Sequence, residues 1–470
     1  MLFNSFPFIF LLLITFGLYY LPLLKRFQVH ILVAASFAFY SWYEPILLLL
    51  LLFSITINAY TSYQVYYGPP ERRKFNATLG VVINLASLAF FKYSPLFSRM
   101  IFSPENSVGS FLLHIPLPIG ISFFTFHGIS MLVDLYRGKN IKTDTEFIPK
   151  LFTQHWLYTS LYIAFFPQLV AGPITKSYNF LPQIGGKSIA NINWESAFKH
   201  LIMGYFLKMV IADNIKDQTF WIAYPFFEAQ TSWTLIAMLF GYSIQIFADF
   251  AGYSLIALGL AELFGYVLPV NFNFPYISAS FSEFWTRWHI SLSSWLREYL
   301  YFSLGGNKKG KVRTYINLML VMFLGGLWHG AAWSYAVWGS FHGLALAVER
   351  FFNDKFGTRT SPIWMSFHRI KVFVFVTFAW LLFKLPNFSQ AVLYLHDMFT
   401  HWHTGAPSPA ISMNILLYAA PVVLYHLYYL YKEMSGRQLP KSLHPVLYAF
   451  LLLAIFINSG SAGEFIYFQF

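Results

Sequence analysis

"GGLWHGAAWSYAVWGSFHG", residues 325–343, holds no charged side chain, three tryptophans, five glycines and two histidines, His329 and His342. The stretch is compatible with lipid, yet each imidazole carries ring nitrogens that need hydrogen bonds or water. The glycines explain part of it. Gly326/Gly330 and Gly339/Gly343 are G-x-x-x-G pairs, which let helices approach closely. Two readings of the imidazoles follow: they hydrogen-bond across a tight helix contact, or they face a cavity and do chemistry there.

The rest of the chain is built from similar material. Of its 470 residues, 57% are apolar and 11% charged, where a soluble domain carries about 25% charged residues. Apolar runs recur along the whole length, for example "PFIFLLLITFGLYYLPLL" (7–24) and "VFVFVTFAWLLFKL" (372–385). The sequence therefore predicts an all-α, polytopic integral membrane protein. About 11 to 13 transmembrane or re-entrant helices are expected by window reasoning. They fall near 5–24, 30–43, 45–60, 76–92, 117–136, 151–171, 198–213, 232–265 (two, or one bent), 314–348 (two), 371–385, 411–431 and 445–460. A single membrane domain over 1–470 is expected, with a catalytic core over about 117–350 between N-terminal spans (5–92) and C-terminal spans (371–460).

The net charge of +12 reads as orientation, and nucleic acid is not expected as a partner. Basic clusters fall at Lys25-Arg26, Arg72 to Lys74, Arg137 to Lys142, Lys308 to Arg313, Arg350 to Arg369 and Lys432 to Lys441. Placing them in the cytoplasm puts the N-terminus outside and leaves an even number of spans between successive early clusters. The first apolar run lacks a basic leader and a small-residue cleavage site, so it reads as a retained span. With no cysteine, disulfides, thiolate metal sites and a cysteinyl acyl-enzyme are excluded.

Residues 266–313 are more polar, and in "FSEFWTRWHISLSSWLREYL" (281–300) apolar positions repeat at helical spacing. That predicts one amphipathic helix, at the membrane interface or a cavity mouth, with His289 at the edge of its apolar face and pointing inward. Ionisable residues within apolar segments are candidates for function: Asp134, Asp213, Asp249, Glu262, Arg287, His289, Arg297, His329 and His342. A neutral imidazole accepts a proton near neutral pH, so one histidine suffices as general base when the acyl donor is already activated, as a thioester is. No metal is expected, because the histidines are far apart and no H-x-x-x-H occurs. Asp249 in "ADFAGYS" (248–254) is expected to accept backbone hydrogen bonds or pair with an arginine. "FFPQLVAGPITK" (165–176) predicts an unwound segment. "SLGGNKKGKVR" (303–313) offers Lys308, Lys309, Lys311 and Arg313 to a phosphate-bearing donor, or is an ordinary positive-inside loop.

Four motifs in order, "FPQLVAGPI", "FADFAGYS", "NFNFPYISASFSEFWTRWHISLSSWLREYLYFSLGGN" and "GGLWHGAAWSYAVWGSFHG", resemble the membrane-bound O-acyltransferases, and in particular the bacterial branch that acetylates alginate, peptidoglycan and cellulose. The resemblance runs from "GISFFTFHGISMLVDLYRG" (120–138) to Arg350, and the N-terminal spans fit it. It implies a ring of helices around a thin centre crossed by a tunnel. It also implies that His329, in the W-H-G motif, is catalytic, and that His289, in W-H-x-S-L-S, supports it. Asp249, Trp288, Trp328, His342 and Arg297 are then supporting or tunnel-lining residues. Relatives often carry a second aspartate after the D-F-x-G-Y-S motif; Leu255 stands there, so Asp249 stands alone.

The implied function is transfer of an acetyl group from a cytoplasmic thioester, acetyl-CoA, across the bacterial inner membrane. It serves O-acetylation of an alginate-like exopolysaccharide or peptidoglycan, with a periplasmic acetyltransferase partner and surrounding lipid. D-alanyl or other acyl transfer to a teichoic-acid-type polymer is the alternative within the enzyme class. A transporter or flippase of acyl groups predicts internal repeats, and none is visible. A non-catalytic scaffold predicts that the histidines are dispensable.

Overall fold

The computed structural model describes residues 1–102, 106–138, 148–357, 361–405, 408–461, 463, 465 and 466. The part of the basic cluster Arg137 to Lys142 beyond residue 138 lies outside them. The chain divides into two compact units, Met1–Leu201 with Ser254–Pro269, and Ile202–Tyr253 with Val270–Phe470. Each predicted apolar segment falls on helix. Among the described residues, five helices are long and apolar enough to cross a membrane, or six if the pair Phe6–Tyr20 and Pro22–Ser41, bent by 100°, counts as one span. The others are shorter, broken or hairpin-paired. The chain is a multi-pass membrane protein.

In the first unit, Leu47–Tyr67, Arg73–Ile101 and Ile121–Tyr136 pack together through buried polar side chains. Asn58 and Asn84 exchange amide hydrogen bonds at 2.9 and 3.2 Å. Gly128 fits against them: a Cβ there would lie 2.5 Å from Asn58 Oδ1. Such side-chain bonds hold helices together where lipid offers no hydrophobic driving force. "FPQLVAGPITK" is unwound beyond the short helix Phe166–Leu169, as its prolines predict. It is buried, and at Thr175 the Tyr162 hydroxyl donates to the carbonyl at 2.9 Å while His127 Nε2 accepts from the N–H at 3.2 Å. Glu262 accepts from Ser196 at 3.0 Å and pairs with His200 at 3.0 Å, which makes it a structural anchor of this unit.

Residues 232–265 form one continuous helix, Ser232–Leu263, and not two. The second unit contributes its part up to Tyr253, together with Pro362–Lys384, Phe388–Thr400, Pro409–Ser435 and His444–Ile457. Its centre is a hairpin, Lys311–His329 and Trp333–Phe356. Both open ends carry basic residues, Lys308–Arg313 and Arg350, and the hairpin brings them to one end of the pair. The first arm, 19 residues, is about 28 Å long and carries His329 to the turn. Glycines weld the arms: a Cβ on Gly326 would lie 2.2 Å from the Tyr335 carbonyl oxygen, and one on Gly339 2.2 Å from that of Met322.

Candidate active site

His329 is the last residue of the first arm, and Gly330 continues in extended conformation. The imidazole is 4% exposed and set among aromatic rings. Trp338 meets it edge to face at 5.1 Å, Phe383 at 5.2 Å and Trp328 at 5.0 Å between ring centroids. His289 lies on the far side of Trp328, at 6.1 Å from that indole. His342 lies one helical turn beyond Trp338, at 4.8 Å. Each neighbouring pair of these histidines therefore shares an indole contact, Trp328 for His289 and His329 and Trp338 for His329 and His342.

The helix predicted over 281–300 breaks at His289. Phe281–Arg287 and Ile290–Trp295 are separate helices, and Leu296–Tyr301 follows as a π-helical turn. His289 itself has φ 41°, a left-handed conformation uncommon for residues other than glycine. Helical spacing could not show this, because the cause is tertiary. Residues 271–273 run alongside, with Asn273 N–H donating to the Arg287 carbonyl and Ile290 N–H to the Asn271 carbonyl, both at 2.9 Å. The Asn271 side chain accepts from the Ser291 hydroxyl at 2.6 Å. His289 Nδ1 accepts the Leu292 N–H at 3.3 Å and so caps the next helix. An accepting Nδ1 leaves the proton of the neutral ring on Nε2. The inward direction expected of His289 holds: the residue is fully buried, with Phe250 at 4.6 Å.

A cavity of about 380 Å³ ends at His329. Its walls are apolar, from Leu292, Leu296, Val321 and Met322, with Gly325 along one arm. Trp285 and Trp338 also line it, and neither indole N–H has a hydrogen-bond partner among the described residues. Toward the hairpin's basic end stand Arg297, Arg350, Tyr301 and Asn307. No carboxylate pairs with either arginine among the described residues. Two guanidinium groups without a carboxylate partner thus line an apolar cleft, an arrangement whose chemistry matches phosphate oxygens.

The remaining predicted residues divide. Arg297 lines this cavity; Trp328, Trp288, His342 and Asp249 do not. Trp328 separates His289 from His329, and Trp288 stacks on Phe284 and packs on Trp380. Lys308, Lys309, Lys311 and Arg313 do not line it either; Asn307 of the same loop does. Arg287 pairs with Glu283 at 2.8 Å and Glu433 at 3.2 Å. Asp249 does not stand alone. Lys208 bridges it to Asp213, at 2.8 Å to each carboxylate, and Asp249 also accepts the Ile466 N–H at 2.7 Å. The backbone partner is as expected of a buried aspartate; the cation is lysine in place of arginine. Sequence reasoning missed Lys208, Trp285, Trp338 and Arg350. For Lys208 a signal existed, a lone lysine in "YFLKMVIAD" (205–213).

A hairpin of helices carries a buried imidazole to a cleft that Arg297 and Arg350 also line, and this is the candidate active site. The chain belongs to the MBOAT, membrane-bound O-acyltransferase family, whose model matches residues 153–392, and it is an O-acyltransferase. It is 36% identical over 409 residues to the probable alginate O-acetylase AlgI of Pseudomonas aeruginosa, covering 85% of this chain and 75% of that protein. It is 35% identical over 395 residues to the peptidoglycan O-acetyltransferase of Helicobacter pylori, with 78% and 73% covered. The teichoic acid D-alanyltransferase of Bacillus subtilis is 28% identical over 411 residues, with 80% and 96% covered.

Proposed function

We propose that the protein moves an acetyl group from a cytoplasmic thioester, acetyl-CoA, to a hydroxyl presented from the periplasmic side of the inner membrane, for O-acetylation of an alginate-like exopolysaccharide or peptidoglycan. The observation that carries this reading is the His329 imidazole at the floor of a cleft whose mouth holds Arg297 and Arg350. The phosphates of the donor lie on the guanidinium groups and the thioester reaches His329. The acceptor oxygen attacks the acetyl carbonyl carbon while His329 takes the hydroxyl proton. The tetrahedral intermediate collapses, the C–S bond breaks, and the proton passes from His329 to the leaving thiolate. His289, which does not line this cavity, supports the site through Trp328, the indole it shares with His329. The acetyl group then passes through a periplasmic acetyltransferase partner to the polymer. The names of the relatives at 35 and 36% identity support acetyl over D-alanyl transfer.

Proteoliposomes holding the full chain, supplied with radiolabelled acetyl-CoA, test this. Acetyl transfer is expected from the wild type and is expected to be lost in His329→Ala at equal protein level. Full O-acetylation by His329→Ala, in vesicles or in cells, would overturn the reading.

A further inference from the structure

Lys384 closes the helix Pro362–Lys384. That helix starts beside the basic residues Arg350 to Arg369, so its far end lies across the membrane from the Arg297–Arg350 mouth. One residue earlier, Phe383 touches His329. Lys384 follows it directly at the helix end. Its ammonium lies over the Tyr242 ring, 5.3 Å from the centroid, and among the described residues no carboxylate pairs with it. A cation retained at the end of an apolar helix without a counter-ion is costly unless something else answers it.

What it faces is a second cavity, of about 460 Å³, shared with Lys216, Gln245 and Trp221. The lining is rich in donors. The Gln245 carbonyl already accepts from the Thr219 hydroxyl at 2.5 Å, so its amide N–H groups are the part left to the cavity. Two lysines stand against one carboxylate, Asp217, which lies 3.4 Å from the Ser461 hydroxyl. At the rim Phe220 and Trp221, both partly exposed, meet edge to face at 5.7 Å. Ile466 forms part of the wall, pinned by its N–H to Asp249, which Lys208 holds in turn. This gives the buried Lys208–Asp249 pair a purpose at a distance from His329.

We infer that this second cavity binds an acidic sugar of the polymer on the side where the partner receives the acetyl group, with a uronate carboxylate paired to Lys384 and the apolar face of the sugar ring on Trp221. The polymer's part in the reaction rests on the proposed function, but the binding itself does not. An ammonium and amide donors match a carboxylate and ring hydroxyls, and an exposed indole offers the flat apolar surface that a pyranose face covers.

The test is binding of a hexuronate trimer and a neutral hexose trimer to the full chain in nanodiscs. The uronate is expected to bind at least tenfold more tightly than the neutral trimer. Lys384→Met is expected to weaken uronate binding at least tenfold, and Lys384→Arg, which keeps the charge, to stay within about threefold. Equal binding of the two trimers overturns the inference, as does unchanged binding in Lys384→Met. Displacement of the uronate by a tetraglutamate peptide at lower concentration would overturn the sugar in favour of an acidic protein segment. His329→Ala separates the two claims: it is expected to keep uronate binding while losing acetyl transfer. Retained transfer there removes the catalytic reading and leaves the sugar site standing.

Discussion

His329 and Trp338 meet with ring planes at 89° across the turn of one helical hairpin, the imidazole on the outgoing arm and the indole on the returning one. The indole also lines the cleft, and its N–H has no partner among the described residues. Trp338 thus packs against the His329 ring and offers an N–H donor to the cleft. Trp338→Phe keeps an aromatic ring and removes the N–H. It is expected to lower turnover about tenfold or more with a small change in melting temperature. Trp338→Ala leaves a core void costing about 3–5 kcal/mol and is expected to lose both activity and thermal stability. Acetyl-CoA turnover and detergent melting curves, taken on the same preparations, separate the two.

The glycines of the hairpin make unequal predictions. Gly326→Ala and Gly339→Ala place a methyl group 2.2 Å from a backbone oxygen of the opposite arm. The arms must part, at a cost of about 1–3 kcal/mol or more, and reduced accumulation of folded protein is expected. Gly325 lines the cleft, and a Cβ there meets only Leu296 Cδ1 at 3.1 Å, the end of a flexible side chain. Gly325→Ala is therefore expected to fold, and to raise KM for the donor by narrowing its path. Equal loss of protein in all three variants would contradict this account.

Much of this was legible before any coordinates. Apolar runs located the helices, and the histidines at 289, 329 and 342 stood out because an imidazole is expensive in lipid. Glycine spacing announced the close arms. The bend at His289 was hidden, since Trp285, Trp288, Leu292 and Trp295 keep helical spacing through a break that hydrogen bonds from residues 271–273 impose. Arg350 was hidden for another reason. In the sequence it belongs to a basic flank, and only the pairing of the arms brings it to the same cleft as Arg297. Lys208 and Asp249 are 41 positions apart, and no periodicity links them.

The cleft mouth predicts a separation of kinetic constants. Arg297→Gln and Arg350→Gln each remove one cation from the cleft, where the proposed function seats the donor's phosphates, and leave His329 untouched. KM for acetyl-CoA is expected to rise about tenfold in each, with kcat nearly unchanged and a weaker dependence of KM on salt. Lys308→Gln and Lys309→Gln, whose side chains lie outside the cleft, are expected to shift KM by less. Steady-state kinetics at two ionic strengths measures this. A fall in kcat without a change in KM in the arginine variants would place them in the chemistry and not at the mouth.

The Lys208 bridge predicts a stability effect that depends on how many charges are removed. Lys208→Met leaves Asp213 and Asp249 facing each other, both buried, and breaking a buried pair from one side costs about 3–5 kcal/mol. The variant is expected to melt well below the wild type. Adding Asp213→Asn and Asp249→Asn to it removes the stranded charges, so the triple variant is expected to recover a large part of the loss. The Ile466 N–H bond to residue 249 survives the amide, whose carbonyl oxygen still accepts. Melting of the single, double and triple variants in one detergent measures the recovery. A triple variant less stable than Lys208→Met alone would show that the carboxylates stabilise this part of the fold without their lysine.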